Sequence, residues 1–340
     1  MGAAPYIHGE GRRDMAKAPG KAYREGVSVL ELAEIFPDDE AARRWFEAKV
    51  WPNGRHCPHC GSVNTVENGG KSESRPYHCR DCKQHFSVRK GTVMEGSPLP
   101  LRKWVWAIYL HLTSLKGVSS MKLHRDLKVT QKTAWFMLQR IREAFKRDDD
   151  EPPMDGPVEV DEVYLGGLRK NMSNKKRKTL EGRGAVGKDI VVGVKDRRTK
   201  EVRARHVQEA DTRSLAGFAV RNTRLGSTVY SDEASVYRAL SAWYEHEAVN
   251  HSVGEYVRQQ AHTNGIESFW AGLRRAHKGV YHKFSPKHLH RYIAEFSGKH
   301  NIRESGTLAQ MAGLVSGMVG KRLTYARLIA DNGLASGARA

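Results

Sequence analysis

The sequence lacks a long apolar run and any secretory or lipid-anchor signal. No stretch approaches the roughly 18 apolar residues that a membrane-spanning helix needs. Residues 1–26 carry scattered charges without the apolar segment of a signal peptide, and Tyr6 stands where a myristoylation signal requires Ser or Thr. We therefore expect a cytoplasmic protein without a membrane partner.

Several catalytic signatures are also missing. The sequence has no GxxxxGK[ST] phosphate loop, no GxSxG nucleophile turn and no HExxH helix. It shows no internal repeat and no low-complexity tract. Any catalytic group must therefore come from a less local arrangement of side chains.

Acidic residues are scarce compared with basic ones. The 340 residues include 57 Lys and Arg against 38 Asp and Glu, which gives a formal charge of +19. Such an excess predicts a polyanionic partner, and nucleic acid is the expected one. The basic run at 175–178 is either a solvated loop or a clamp on DNA phosphates, and the sequence alone leaves both open.

The four cysteines form two CxxC pairs, Cys57 with Cys60 and Cys79 with Cys82, separated by 18 residues. A tetrahedral Zn²⁺ needs four thiolates at about 2.3 Å, which two CxxC turns supply without straining the backbone. Two disulfides or a redox pair are the alternatives, but a chain with no other thiols and no secretory segment fits neither well. The spacing predicts a zinc ribbon with one structural Zn²⁺.

Helical periodicity surrounds the predicted ribbon. An apolar pattern predicts a short helical pair before it. After it, Ser119 or Ser120 can cap a helix that ends at Leu127, and Thr130 can cap another over 131–145. Two short helices separated by three residues resemble a helix-turn-helix, although any three-helix bundle gives the same pattern.

Composition predicts a multi-domain chain. An acidic, proline-ended stretch at 148–153 marks a boundary, and the alternating strands and helices beyond it predict an α/β sheet. The predicted parts are 1–26, a flexible basic tail; 27–95, a helical pair with the N-terminal zinc ribbon; 96–150, a helix-turn-helix-like helical module; 151–303, an α/β domain; and 304–340, a helical C-terminal segment.

Two predicted strands carry acids. The β-rich run 158–164 contains three, and alternation along a strand predicts that Asp161 and Glu162 point to opposite faces. A carboxylate buried in a central strand needs a compensating cation, whereas an edge strand would leave its acids solvated. A second short strand ends in Asp232, at the position where open α/β sheets gather ligands.

A predicted helix downstream of Asp232 supplies further candidates. Asn264, Glu267 and Arg274 lie on a polar face of this helix, away from its apolar stripe. Two aspartates from neighbouring strands and one oxygen ligand from a helix suit a pair of Mg²⁺ ions about 3.5–4 Å apart. The sequence thus predicts a magnesium site with Asp161, Asp232 and either Asn264 or Glu267 as ligands.

With these features the chain resembles bacterial insertion-sequence transposases of the DDE type, in particular the fifteen-ninety-five insertion-sequence family with its ISXO2-like transposase domain. The resemblance covers roughly Val29 to Ile329. It is carried by segments 57–82, 160–167, 230–232, 262–270, 279–282, 287–289 and 291–292.

The resemblance implies an RNase H-like catalytic domain in which Asp161 and Asp232 bind Mg²⁺, replaceable by Mn²⁺, and Asn264 takes the third position. Members often carry Asn there, followed by a basic residue that is usually Lys. In this chain Arg274 stands at the basic position. Glu267 remains a rival third ligand, because a carboxylate binds Mg²⁺ better than a neutral amide.

The implied function is a DNA transposase that binds the terminal inverted repeats of its element through the ribbon and helix-turn-helix, and then cleaves and transfers strands. A domesticated, non-catalytic DNA-binding regulator and a structure-specific nuclease on the same fold are the alternatives. We expect a homo-dimer or larger homo-oligomer on double-stranded DNA, both element ends and target, associated with the nucleoid. Candidate DNA-contacting residues are Lys132, Arg140, Lys175, Lys176, Arg177, Lys178, Arg275, Lys278, His282, Lys287, His288 and Arg291.

Overall fold

The structure is a computed structural model. It describes residues 25–68, 75–147, 151–167, 172, 174–178, 186–232, 234–249 and 262–336. The tail predicted for 1–26 thus lies almost wholly outside the described residues. Within the described ranges, no helix combines the length and apolar character needed to cross a membrane.

The N-terminal part has two helices followed by a small sheet. The helices are α1 (Val29–Ile35) and α2 (Asp39–Val50), and the antiparallel strands are β1 (Thr65–Glu67), β2 (Tyr77–Cys79) and β3 (His85–Phe86). Ser28 forms a capping box with Glu31, and the side chain of Asp38 accepts the N–H of Ala41, which explains where both helices begin. The predicted helical pair is therefore confirmed.

Three helices follow the ribbon: α3 (Leu101–Thr113), α4 (Ser120–Leu127) and α5 (Gln131–Ala144). Ser119 and Thr130 cap α4 and α5, as predicted, by accepting the backbone N–H groups of Lys122 and Thr133. Ribbon and helices share one apolar core across the predicted boundary at 95–96. A DNA-binding role for the α4–α5 pair stays a prediction.

The second half contains a five-stranded mixed sheet. Its elements are β4 (Val158–Leu165), α6 (Asn174–Lys178), β5 (Asp189–Asp196), β6 (Val202–Val207), α7 (Thr212–Asn222), β7 (Thr228–Asp232), a 3₁₀ helix (Ser235–Ala242) and β8 (Glu245–Val249). The strand order is β6-β5-β4-β7-β8. The strands β4, β5 and β6 pair antiparallel, whereas β7 pairs parallel with both β4 and β8. The predicted α/β sheet is confirmed.

The remaining helices cover the sheet and return to the first core. They are α8 (Asn264–Ala276), continued by a π-helical turn (His277–Tyr281), then α9 (Pro286–Asn301), α10 (Thr307–Ser316) and α11 (Tyr325–Ile329). Helix α8 packs on β4 and β5, and α9 packs on β6. Helix α10 packs against α2 and α3, so part of the predicted C-terminal segment belongs to the N-terminal core.

A buried ion pair joins the helical module to the α/β domain. Glu295 of α9 is fully buried, and its Oε2 accepts a hydrogen bond from Nε of Arg142 of α5 at 2.7 Å. Its Oε1 lies 3.2 Å from Nζ of Lys299 and 3.5 Å from Nε2 of His111. Removing one partner of such a pair leaves a buried charge uncompensated, at a cost of about 3–5 kcal/mol.

The protonation states in this network are fixed by burial and charge. Burial alone would raise the pKa of Glu295, but the charges from His111, Arg142 and Lys299 lower it to about 2. Burial lowers the pKa of His111 to about 3, so His111 is neutral at pH 7. The cations that hold Glu295 ionised at neutral pH are therefore Arg142 and Lys299.

A glycine in the middle of β5 allows α8 to approach the sheet. An added Cβ at Gly193 would lie 2.7 Å from ring carbons of Trp270, which is 1% exposed. Gly193 pairs with Asp161 across β5 and β4. The indole thus occupies the space beside Asp161 that a side chain at 193 would take.

We expect Gly193→Ala to lower the free energy of unfolding by about 1–3 kcal/mol, because the new methyl group would displace Trp270. The matched control is Gly272→Ala on α8, where an added Cβ meets no atom within 4 Å. It should be neutral or stabilise the protein by up to about 1 kcal/mol. Urea unfolding of both variants checks this, and equal stabilities would contradict the packing argument.

Candidate functional sites: a thiolate cluster and an acidic cluster

The structure brings the sulfur atoms of all four cysteines together, each within 4.8 Å of the others. The Sγ atoms of Cys57 and Cys82 are 3.6 Å apart, and those of Cys60 and Cys79 are 3.7 Å apart. A tetrahedron with Zn–S bonds of about 2.3 Å has S–S edges of about 3.8 Å. The four cysteines are free thiols, and their spacing fits one tetrahedral Zn²⁺.

Asp161 and Asp232 occupy equivalent positions on neighbouring parallel strands. Strands β4 and β7 pair Glu159 with Tyr230, and each aspartate lies two residues further along its strand. Because side chains alternate along a strand, both carboxylates project from the same face of the sheet. This is the face that α8 covers, since Gly193, the cross-strand neighbour of Asp161, packs against that helix.

Glu162 joins the two aspartates, which the sequence did not lead us to expect. One carboxylate oxygen from each of Asp161, Glu162 and Asp232 lies within 4.8 Å of the other two. The hydroxyl of Tyr237, in the 3₁₀ helix, donates to Oε2 of Glu162 at 2.6 Å. The paired stretch of β4 and β7 ends at Glu159, so the longer side chain of Glu162 reaches the aspartates although its Cβ points to the other face.

The acids of this cluster disfavour one another's ionisation. Burial raises the pKa of Asp161 to about 8, helped by the charges of Glu162, Asp232 and Glu267. Burial also raises the pKa of Glu162. Carboxylates that cannot easily ionise together are stabilised by a divalent cation with a preference for oxygen ligands. The donor set therefore fits Mg²⁺.

A buried carboxylate fixes the start of α8. Glu159 is 2% exposed, and its Oε2 accepts the backbone N–H of Ile266 at 2.7 Å. Its Oε1 accepts a hydrogen bond from Nε of Arg197 at 2.9 Å. A Cβ at Gly265 would lie 2.6 Å from Oε2, so only glycine leaves room for this contact. A negative charge at a helix N-terminus is favourable, and here it sets the first turn of α8 beside β4.

The three helix candidates lie at different levels along α8. Glu267 is close enough to Asp161 for its charge to raise the pKa of Asp161, and its Oε1 accepts a hydrogen bond from Thr263 Oγ1 at 2.7 Å. Asn264 is exposed, and among the described contacts none joins it to the acids. At 1.5 Å per residue, Arg274 lies about 15 Å along the helix from Asn264.

Four of the twelve DNA-binding candidates are engaged in packing. Nε of Arg140 donates to the carbonyl of Leu323 at 3.1 Å, and Nζ of Lys287 donates to that of Ile329 at 2.8 Å. His288 is buried against Trp135, and Arg291 forms an ion pair with Glu143 at 2.9 Å. The exposed candidates are Lys132, Arg177, Lys178, Arg275, Lys278 and His282, while the side chains of Lys175 and Lys176 lie outside the described residues.

Comparison with known proteins gives two domain matches and one relative. Residues 153–301 match the profile of the ISXO2-like transposase domain, and residues 37–85 match that of a transposase zinc-ribbon domain. The chain is similar to an uncharacterized protein in transposable element ISH50 of Halobacterium salinarum. The two are 33% identical over an alignment of 245 residues, and the match covers 68% of this chain and 81% of the relative. The matched segments contain the thiolate cluster and the acidic cluster.

We expect the purified protein to contain about one Zn²⁺ per chain, held by the four thiolates. The thiols should resist alkylation until a chelator removes the metal, after which all four should react and the ribbon should unfold. Metal analysis with thiol titration measures both. Four reactive thiols and no zinc in native protein would contradict this assignment.

Stability should depend on pH through Asp161. Its pKa in the folded protein, about 8, exceeds its ordinary value of 3.8, so the folded state binds more protons between these values. Without divalent metal, this group therefore makes the protein less stable as pH rises from about 4 to 8, and Mg²⁺ should restore stability most at pH 8. Thermal unfolding at pH 5 and pH 8, with and without Mg²⁺, measures the effect. Asp161→Asn should remove it, and an unchanged Mg²⁺ response in that variant would rule out the explanation.

Proposed function

The chain belongs to the ISXO2-like (IS1595) transposase family, and from this we propose that it is a DNA transposase that cleaves and joins the ends of its own element. The observation that carries the proposal is the acidic cluster formed by the middle of β4 and the end of β7. Its residues lie inside the segment that matches the transposase domain. We also propose that this α/β domain is RNase H-like, as the resemblance of the sequence implies.

Asp161 and Asp232 would hold the catalytic ions. Mg²⁺ bound there would activate a water molecule or a 3′-hydroxyl and stabilise the leaving oxygen of the phosphate. The protein would contribute to catalysis by holding the carboxylates in position and by excluding bulk water around them. Burial of the strand that bears Asp161, and the Trp270 ring packed on Gly193 beside it, support that role.

The third ligand is proposed to be a carboxylate rather than an amide. The charge of Glu267 raises the pKa of Asp161, whereas the side chain of Asn264 is exposed. Glu162 is a further candidate, since its carboxylate lies within 4.8 Å of both aspartates and Tyr237 orients it. The Asn264 ligand implied by the family resemblance is the alternative that mutation must test.

We propose that the upstream modules, which are the zinc ribbon and the helical module with α4 and α5, recognise the element ends. A transposase zinc-ribbon match, two capped helices in a helix-turn-helix-like arrangement and a chain charge of +19 support contact with double-stranded DNA. Because two ends must be held together, we propose a homo-dimer or larger assembly on DNA. The intact acidic cluster disfavours a non-catalytic regulator, and joining of 3′-ends to new DNA would separate a transposase from a nuclease.

The acidic cluster is tested by single substitutions. Asp161→Asn and Asp232→Asn should each lower strand cleavage by roughly 10³-fold or more while end binding is retained, since the ions serve chemistry and the upstream modules serve recognition. The substrate is DNA carrying the inverted repeats that flank the coding region. Asp155→Asn is the matched control, because Asp155 lies in the same domain and pairs with Arg198 and Arg224 instead.

The choice of third ligand needs its own series. Glu267→Gln, Glu162→Gln and Asn264→Ala are compared by Mg²⁺ titration of cleavage, and the true ligand should show the largest rise in the Mg²⁺ concentration required. We expect Asn264→Ala to have the smallest effect. A larger loss in Asn264→Ala than in both glutamate variants would reverse our proposal in favour of the amide.

A further inference from the structure

A concave surface away from the acidic cluster lies where the helical module meets the α/β domain. We call it the junction cleft. It is bounded by the end of α5, edge strand β6, α7 and α9, and has a volume of about 970 Å³. Its chemistry is set by arginines and a lysine from all four elements.

The cations of the junction cleft outnumber the acids available to neutralise them. Its two acids are already paired: Glu143 with Arg291 at 2.9 Å, and Glu151 with Arg147. Four cations that line the cleft have no ion-pair partner among the described residues, namely Lys146, Arg205, Arg213 and Arg221. Positive charge concentrated in a concave surface attracts an anion more strongly than the same charges spread over a convex one.

The floor of the cleft offers neutral hydrogen-bonding groups as well. The backbone N–H and C=O of Val202 point away from β5 and bond to the side chain of Asn301 at 2.8 and 2.9 Å. Alternation of the antiparallel ladder turns the backbone groups of Ala204 and His206 outward in the same way. Ser297, which is 5% exposed, also lines the cleft, and its Oγ has no hydrogen-bond partner in the described part of the chain.

The two walls are held rigidly together. Helix α9 is tied to α5 by the Arg142–Glu295 pair and by the Arg291–Glu143 pair. At the base of the cleft, an added Cβ at Gly298 would lie 2.2 Å from the ring of Phe145, so the two helices touch there. A preformed cleft loses little conformational entropy when it binds a ligand.

We propose that the junction cleft binds the phosphate backbone of double-stranded DNA, through contacts separate from those at the acidic cluster. Arg205 pairs with Val192, whose side chain packs on the α7 face of the sheet, whereas Asp161 projects from the α8 face. Strand β6 is two strands, about 10 Å, from β4. The unpaired cations of the cleft therefore lie at the β6 edge of the sheet, apart from the carboxylates of the acidic cluster. This inference rests on the proposed function only in that DNA is the polyanion.

The test compares two variants of equal charge in the full-length protein. The cleft variant is Arg205→Gln/Arg213→Gln/Arg221→Gln. The control variant is Arg198→Gln/Lys200→Gln/Arg224→Gln, which removes three exposed cations of the α/β domain that lie outside the cleft and outside the upstream modules. The probe is a duplex of about 30 base pairs of arbitrary sequence, because phosphate contacts are independent of sequence. Urea unfolding of both variants verifies that they fold.

Binding is measured as a function of salt concentration. Each phosphate contact contributes about 0.9 to the slope of log K against log salt, so the cleft variant should have a slope shallower by up to about 2.7. The control should change the slope by less than about 1. Equal slopes for both variants would overturn the cleft proposal and leave the transposase proposal intact.

Two other outcomes of these measurements would lead to different conclusions. A wild-type slope near zero would overturn the transposase proposal together with the cleft. A cleft variant that keeps the wild-type slope but loses self-association would show that the cleft binds an acidic surface of a second copy, and would likewise overturn the DNA assignment. The size of the slope difference thus decides between DNA and protein as the occupant.

Discussion

The architecture depends on one carboxylate that is sealed from water. Glu295 has no exposed surface, and it meets Arg142 from one half of the molecule and Lys299 from its own helix. Burying an ion pair costs desolvation free energy, and breaking it leaves a buried charge unpaired, which costs more. The relative position of α5 and α9 is therefore fixed by this pair. The relation between the ribbon-bearing half and the sheet follows from this contact, as does the shape of the cleft between them.

A second carboxylate plays a comparable part at the acidic cluster. Glu159 lies two residues before Asp161 on β4 and accepts the N–H of Ile266 at the start of α8. The close approach of the Glu159 carboxylate to α8 requires glycine at position 265. The contact between Trp270 of α8 and strand β5 requires glycine at position 193. The strand that carries the first aspartate therefore also positions the helix that carries Glu267. Any shift of α8 would move its first turn relative to both aspartates.

Local signals in the sequence were enough for much of the fold. The β-rich run predicted at 158–164 lies within β4, and the caps at Ser119 and Thr130 are as expected, because strand alternation and helix capping act over a few residues. Strand β8 and helix α9 were not predicted. The sequence at the start of β8, from Glu245, is polar and is typical of a loop. This segment forms a strand because it pairs with β7. The role of Glu159 was missed because its partner, Ile266, is 107 residues away. The role of Glu162 was missed because strand alternation places its Cβ on the face opposite that of Asp161.

Helix α10 is synthesised late, and the N-terminal core cannot be completed before it. Its Met311, Leu314 and Val315 complete the core that begins at Leu32, and 162 residues separate the end of α5 from the start of α10. At roughly 5–20 residues per second, a ribosome takes roughly 8–30 s to cross that interval, during which the first core stays open. A chain cut short within the α/β domain never closes it. Truncated products therefore keep apolar surface of the first core exposed, which favours their aggregation and proteolysis.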